Sequence, residues 1–168
     1  LDGDSRLAGQ PLALTLQARA DAAHLSLEGE LRAAGNRLGT SALLARAGDG
    51  DDRVMLRLDA PALEQLAPMA ELLGLGTVAG RATGETSAEG ALRAWLDGSA
   101  APQRPLTTRG RLSATGLRWA GLQLGTAEAD WEATLPGAAA NAALERAAVR
   151  ARLDARALQL ARWRVPRV

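Results

Sequence analysis

Apolar and polar side chains alternate along stretch after stretch of this chain. Leu12, Leu14 and Leu16 are separated by Ala13 and Thr15, and Leu25, Leu27 and Leu31 are interleaved with Ser26, Glu28 and Glu30. A period of two puts the apolar set on one face of a strand and the polar set on the other. Both stretches are therefore expected to be half-buried strands. Residues 36 to 46 continue the pattern through Leu38, Ala42 and Leu44. Gly48-Asp49-Gly50-Asp51-Asp52 then marks a turn before Val54, Leu56 and Leu58. These four strands predict a meander.

A phrase, Gly-x-Leu-x-Ala, returns at intervals close to multiples of about twenty residues, the mark of a repeated unit. It reads Gly29-x-Leu31-x-Ala33, Gly90-x-Leu92-x-Ala94 and Gly110-x-Leu112-x-Ala114, with Ala151-x-Leu153-x-Ala155 as a variant. Residues 111 to 124 also resemble residues 152 to 165. Further strands are expected at 89–96, 109–119, 121–135, 144–153 and 156–165, with loops at 102–105 and 136–141. Within 121–135 the apolar phase slips: Leu122 and Leu124 are even-numbered, whereas Ala127, Ala129, Trp131 and Ala133 are odd-numbered. A bulge or a strand break produces such a slip and adds curvature.

One helical insertion, 59–74, interrupts the strands. Asp59 is the expected cap, Pro61 suits a first turn, and Leu63, Leu66, Ala67, Ala70 and Leu73 share helical spacing. Pro68 should split it into two short pieces, and Gly74 and Gly76 should end it. Such pieces could cover the end of an apolar surface. The Gly-rich stretch after them, 77–85, reads as an edge strand with bends.

Composition removes most catalytic chemistry. The chain has 168 residues and no cysteine, and all 20 of its basic residues are arginine, so it has neither a thiol nor a Schiff-base or P-loop lysine. Its one histidine, His24, cannot build a His-rich metal site, and no nucleophile elbow accompanies it. Asp49, Asp51 and Asp52 lack the later ligands of a calcium loop. The Gly74–Gly80 run has the wrong spacing for a dinucleotide loop. Neither cofactor nor metal is expected. Net charge is only +1, and the tryptophans, Trp95, Trp119, Trp131 and Trp163, are scattered, so no nucleic-acid partner is expected. Arginine does concentrate after Leu144, where Arg146, Arg150, Arg152, Arg156, Arg162, Arg164 and Arg167 face only Glu145 and Asp154. Interleaved with Val149, Ala151 and Leu153, most simply it forms a solvated strand face. No apolar run is long enough to span a bilayer as a helix.

The repeated amphipathic strands, the run Leu56 to Pro68 (LRLDAPALEQLAP) and the run Gly110 to Leu124 (GRLSATGLRWAGLQL) resemble the C-terminal region of the TamB family, within the AsmA-like group of bacterial envelope proteins. The resemblance covers roughly residues 5 to 165. It implies an inner-membrane-anchored protein of the Gram-negative periplasm, with a curved, taco-like β structure enclosing a hydrophobic groove. It also implies phospholipid acyl chains as ligand, lipid movement between inner and outer membranes, and a TamA-like outer-membrane barrel as partner of the full-length protein. It brings no catalytic residues. The chain opens on Leu1 without an initiator Met and reads as a segment of a longer repetitive protein.

The expected fold is thus all-β with one short helical insertion: a single, mainly antiparallel amphipathic sheet over residues 1–168, open along a hydrophobic groove. Expected groove residues are Leu14, Leu16, Leu25, Leu27 and Leu31 in the first strands, with Val54, Leu56 and Leu58 in the fourth. Leu92, Leu112, Leu122, Leu124, Val149 and Leu153 supply the later ones. Two other readings share the alternation: a chaperone-like scaffold that binds outer-membrane protein strands at its edges, and a closed sandwich.

Overall fold

The computed structural model of the chain describes residues 2–7, 9–46, 51–72, 74, 76–92, 105–119, 121–136, 147–157 and 159–160. The alternating stretches form strands β1 (Asp2–Leu7), β2 (Gln10–Ala20), β3 (His24–Ala33), β4 (Asn36–Ala45) and β5 (Asp52–Ala60). After the helical insertion follow β6 (Val78–Gly90), β7 (Leu106–Trp119), β8 (Leu122–Leu135), β9 (Ala148–Arg156) and β10 (Gln159–Leu160). All ten belong to one antiparallel sheet in chain order, with β9 and β10 both on the outer edge of β8. The sheet does not close on itself, and no second sheet faces it among the described residues. The expected open, all-β architecture is therefore the one the chain adopts, and the closed sandwich is not.

Connections differ between the two ends of the sheet. At one end, two-residue links join β1 to β2, β3 to β4 and β7 to β8, each with a positive-φ glycine (Gly9, Gly35 or Gly121) in second place. A tight antiparallel reversal needs that conformation, and glycine adopts it without a Cβ clash. The β5–β6 link at this same end is instead the helical insertion.

The insertion is two short pieces, as expected, a 3-10 turn (Leu63–Leu66) and then α1 (Ala67–Leu72) with Pro68 in its first turn. Its start corrects the expectation. Asp59 lies inside β5, and the residue before the turn is Ala62, with no side-chain cap of its own. Buried Asn36, the first residue of β4, does that work at a distance. Its Oδ1 accepts the Ala62 N–H at 3.2 Å, and its Nδ2 donates to the Ala62 carbonyl at 3.0 Å and the Ala34 carbonyl at 3.1 Å.

Other boundaries moved as well. Strand β1 was not anticipated. The stretch 77–85, expected at an edge, is the first part of β6, an interior strand between β5 and β7. The strand expected at 89–96 stops at Gly90, so Leu92 leaves the sheet, while 93–96 lies outside the described residues. Those expected at 144–153 and 156–165 are described only as β9 and β10.

What is buried is small. The buried apolar residues are Ala34, Ala45, Ala60, Met69, Ala70, Ala82, Ala91 and Ala114, and among the described residues no large side chain is fully enclosed. The sheet is thus one layer whose larger apolar side chains stay partly in water. A second layer would normally cover them.

Candidate functional site

Register partners in an antiparallel sheet point to the same side, so the ladder assigns every strand residue to a face. One row crosses the sheet from β2 to β9 as Leu14, Leu31, Leu38, Leu58, Gly84, Leu112, Ala129 and Leu153. Beside it, two residues along each strand, runs the row Leu16, Gly29, Thr40, Leu56, Thr86, Gly110, Trp131 and Ala151. The next is Ala18, Leu27, Ala42, Val54, Ala88, Thr108, Ala133 and Val149, beyond which lies Leu25, paired with Leu44. On the other flank, Ala60, Ala82, Ala114, Ala127 and Ala155 form a row of alanine.

These rows explain the repeated phrase. In β3, β7 and β9, its three positions fall in the glycine-bearing row, the leucine row and the small-residue flank respectively. The glycines make space: an added Cβ on Gly110 would meet the Trp131 ring, 2.6 Å from Cε2 and Cη2, and one on Gly84 would come 3.0 Å from Leu112 Cδ1. Side chains of the neighbouring strand therefore lie across the glycines, a pairing in which an aromatic ring covers bare backbone. The alanine row is the seat of the helical insertion. There Ala60, Ala82 and Ala114 are buried together with Met69 and Ala70 of α1, so the insertion covers one end of the apolar face. Glu64 ties it down by accepting the Gly80 N–H at 3.2 Å. Hydrogen bonds from its own backbone N–H and from Gly80 hold the Glu64 carboxyl below its ordinary pKa.

The expected phase slip is a crease. Between Ala79 and Arg81 the β6–β7 register shifts by one residue, opposite Gly116 at φ +61°. Gly80, at φ +113°, approaches so closely that a Cβ there would lie 2.6 Å from the Gly116 carbonyl oxygen. Gly125 follows on β8, against Ala157 at φ +55° in the break between β9 and β10. A bulge of this kind bends the strand and increases local twist. Beyond it Val78 pairs with Trp119 and Leu117 with Leu124, while Trp119 also pairs with Leu122. Charged or amide residues Arg118 and Gln123 stay on the other side, as the half-buried and exposed alternation of β8 requires.

Of the expected groove residues, Leu14, Leu16, Leu25, Leu27, Leu31, Val54, Leu56, Leu58, Leu112, Val149 and Leu153 share this face, and Leu122 and Leu124 rejoin it past the crease. Leu92 does not. Leu38 and Trp131 belong to the face and were not singled out; each continues the alternation of its own strand. The uncovered middle remains wet: Leu14 is 50% exposed, Leu38 40%, Leu56 39% and Leu112 39%.

The opposite face is charged and regular. Arg57, Glu85, Arg111, Asp130 and Arg152 are successive partners from β5 to β9, alternating in sign. Arg57 and Glu85 pair at 3.4 Å, Arg111 and Asp130 at 3.3 Å, and Arg53 and Glu89 at 2.7 Å. A shallow depression of about 790 Å³ over these strands is lined by such residues, among them Glu89, Arg109 and Glu132. Most of its lining is on the polar side, and Met55 and Trp131 also line it. His24 sits at the start of β3 beside Asp21, Nδ1 to Oδ1 3.9 Å. Among the described residues no three His, Cys, Asp or Glu side chains converge as a metal site would require. Asp52 is buried and accepts the Ala45 N–H at 2.9 Å, which fixes the start of β5.

No protein-family model, curated protein or solved structure matches this chain.

Proposed function

We propose that the apolar face shields phospholipid acyl chains, and that the chain is a non-enzymatic segment of a longer β structure carrying lipid between the inner and outer membranes of a Gram-negative envelope. One observation carries the reading: rows rich in Leu, Val and Ala, with glycine and threonine among them, cross eight strands, and nothing described covers their middle. Contiguous apolar surface of this kind is rare on a protein that works alone in water and marks a binding surface. At roughly 4.8 Å per strand, the row from Leu14 to Leu153 is about 34 Å long, on the scale of the hydrocarbon core of a bilayer.

The chemistry of the rows suits a conduit. Each acyl methylene removed from water contributes about 0.8 kcal/mol, so a crossing lipid needs continuous apolar contact. Specific polar partners along the way would hold it back. The leucine row supplies contact without such anchors. The insertion over the alanine row closes one flank, which leaves the rows themselves as the path. The phrases that resemble the TamB family supply several residues of these rows, among them Leu56, Leu58, Gly110 and Leu112, and that resemblance supports a periplasmic setting and a TamA-like barrel as partner of the whole protein.

Photocrosslinking with a diazirine-bearing phospholipid tests this reading. Leu56→Arg and Leu112→Arg place a charge in the exposed middle of the face and are expected to abolish adducts while circular dichroism stays that of the folded sheet. Undiminished adducts in the folded variants would sink the assignment.

A further inference from the structure

Among the described residues, β9 is the outermost strand beyond β8. Among the described residues β9 pairs with β8 alone, with β10 lying further along the same edge. All nine of its residues are exposed, Val149 at 68% and Leu153 at 72%. An uncovered edge of this length is a template for another strand. It contains neither proline nor glycine, and from Val149 onward apolar and charged residues alternate.

The polar face states what that strand must carry. From β5 outward the charges alternate as Arg57, Glu85, Arg111, Asp130 and Arg152, so the row ends on a cation. The adjacent row ends likewise, with Arg109, Glu132 and Arg150. Asp130 is already engaged by Arg111 at 3.3 Å, and neither Arg150 nor Arg152 has an ion-pair partner among the described residues. Opposite charges directly across a ladder stabilise it and like charges oppose it.

We propose that β9 is a docking edge for an extended acidic and apolar segment of another polypeptide, which continues the sheet antiparallel to β9. Acids opposite Arg150, Arg152 and Arg156 and a base opposite Asp154 extend the charge alternation. Apolar residues opposite Val149, Ala151, Leu153 and Ala155 extend the leucine face. Main-chain hydrogen bonds give such an addition its affinity, and the alternate side chains give it specificity. A second β9 centred on Arg152 would match Arg150 with Asp154 twice but set Arg152 against its own copy and Arg156 against Ala148, so an acidic segment satisfies more of the edge's charges than a copy of it does.

The test uses a labelled, end-blocked peptide, Glu-Val-Lys-Val-Glu-Val-Glu-Val, whose first residue falls opposite Arg156, and its charge-swapped twin, Lys-Val-Glu-Val-Lys-Val-Lys-Val. At low salt the acidic peptide should bind about tenfold more tightly or better, given four matched against four mismatched pairs, and salt should narrow the gap. Its binding should protect amides within 148–156 from hydrogen exchange. The double variant R150E/R152E, both positions exposed and off the apolar face, leaves each peptide two matched and two mismatched pairs, so it should abolish the preference and leave lipid adducts unchanged. Equal binding of the two peptides to the unaltered chain, protection confined to other strands, or an undiminished preference in R150E/R152E would overturn the proposal without touching the lipid reading. Loss of lipid adducts in Leu56→Arg with peptide binding intact would keep the two surfaces separate.

Discussion

Replacing Gly110 by alanine tests whether the rows are packed as the ladder implies. Gly110 has no positive φ, so the strand conformation itself accepts a side chain, and alanine should gain about 0.5–1 kcal/mol over glycine from the lower entropy of its unfolded state. Against this stands the Trp131 ring, whose Cε2 and Cη2 lie 2.6 Å from where the new Cβ would be. Overpacking of this kind costs about 1–3 kcal/mol. Because the face is open, the ring can swing outward, which places the cost near the lower end and moves the indole into water. The expected net effect is a loss of up to about 2 kcal/mol, with a red-shifted tryptophan emission. The decisive form is a double-mutant cycle read by urea denaturation and far-ultraviolet circular dichroism. In a Trp131→Ala background the clash is gone, so Gly110→Ala should become neutral or stabilising by about 0.5–1 kcal/mol. Equal destabilisation in both backgrounds would refute the idea that the glycine exists to seat the ring.

Asn36→Ala should cost about 1–3 kcal/mol by leaving the Ala62 backbone groups and the Ala34 carbonyl without their partner, and hydrogen exchange should show the loss concentrated in residues 62–72. The Glu64 tether should be pH-dependent. Its folded pKa is lowered by its own backbone N–H and that of Gly80, so its contribution is complete above the ordinary glutamate range and disappears as pH falls through the lower folded value. The Gly80 amide chemical shift should titrate over that acidic window, and Glu64→Gln should remove the titration.

Much of the sheet was legible because alternation is a direct image of one dry and one wet face, and because one-residue slips are costly wherever that difference is large. Leu25, Leu27 and Leu31 or Val54, Leu56 and Leu58 could hardly be read otherwise. The errors fall where the signal is carried by something other than local periodicity. Asp59 has the chemistry of a cap, yet it lies in register with Arg37 and Thr83 inside β5, and the cap comes from Asn36, 26 positions before Ala62. The run 77–85 looked like an edge because glycine and threonine give little pattern; its interior place is set by neighbours on both sides. Leu92 matched the repeated phrase, but β6 ends at Gly90, where a Cβ would collide with the Pro105 carbonyl oxygen. Which charges meet on the polar face was invisible, since it depends on pairing between strands.

The repeated phrase is a device for building across strands with information written along them. Leu31, Leu112 and Leu153 are separated by 81 and 41 positions in the sequence, yet β3, β7 and β9 run in the same direction and bring the three leucines into one row. An even number of strands per interval is what preserves direction, so glycine, leucine and alanine keep their order from one end of each strand to the other. The outcome is three lanes of different depth: a glycine-bearing row over which Trp131 leans, a leucine row interrupted at Gly84 and Ala129, and an alanine row shallow enough for the helical insertion to settle on it. The crease at Gly80, Gly116 and Gly125 ends the lanes on the β6–β10 side near the insertion. A sheet meant only to be covered by a second layer has no need of such an order, because packing against another layer rewards complementary bumps rather than uniform lanes. Under the proposed function, this order is what keeps one row of the face leucine-rich from β2 to β9.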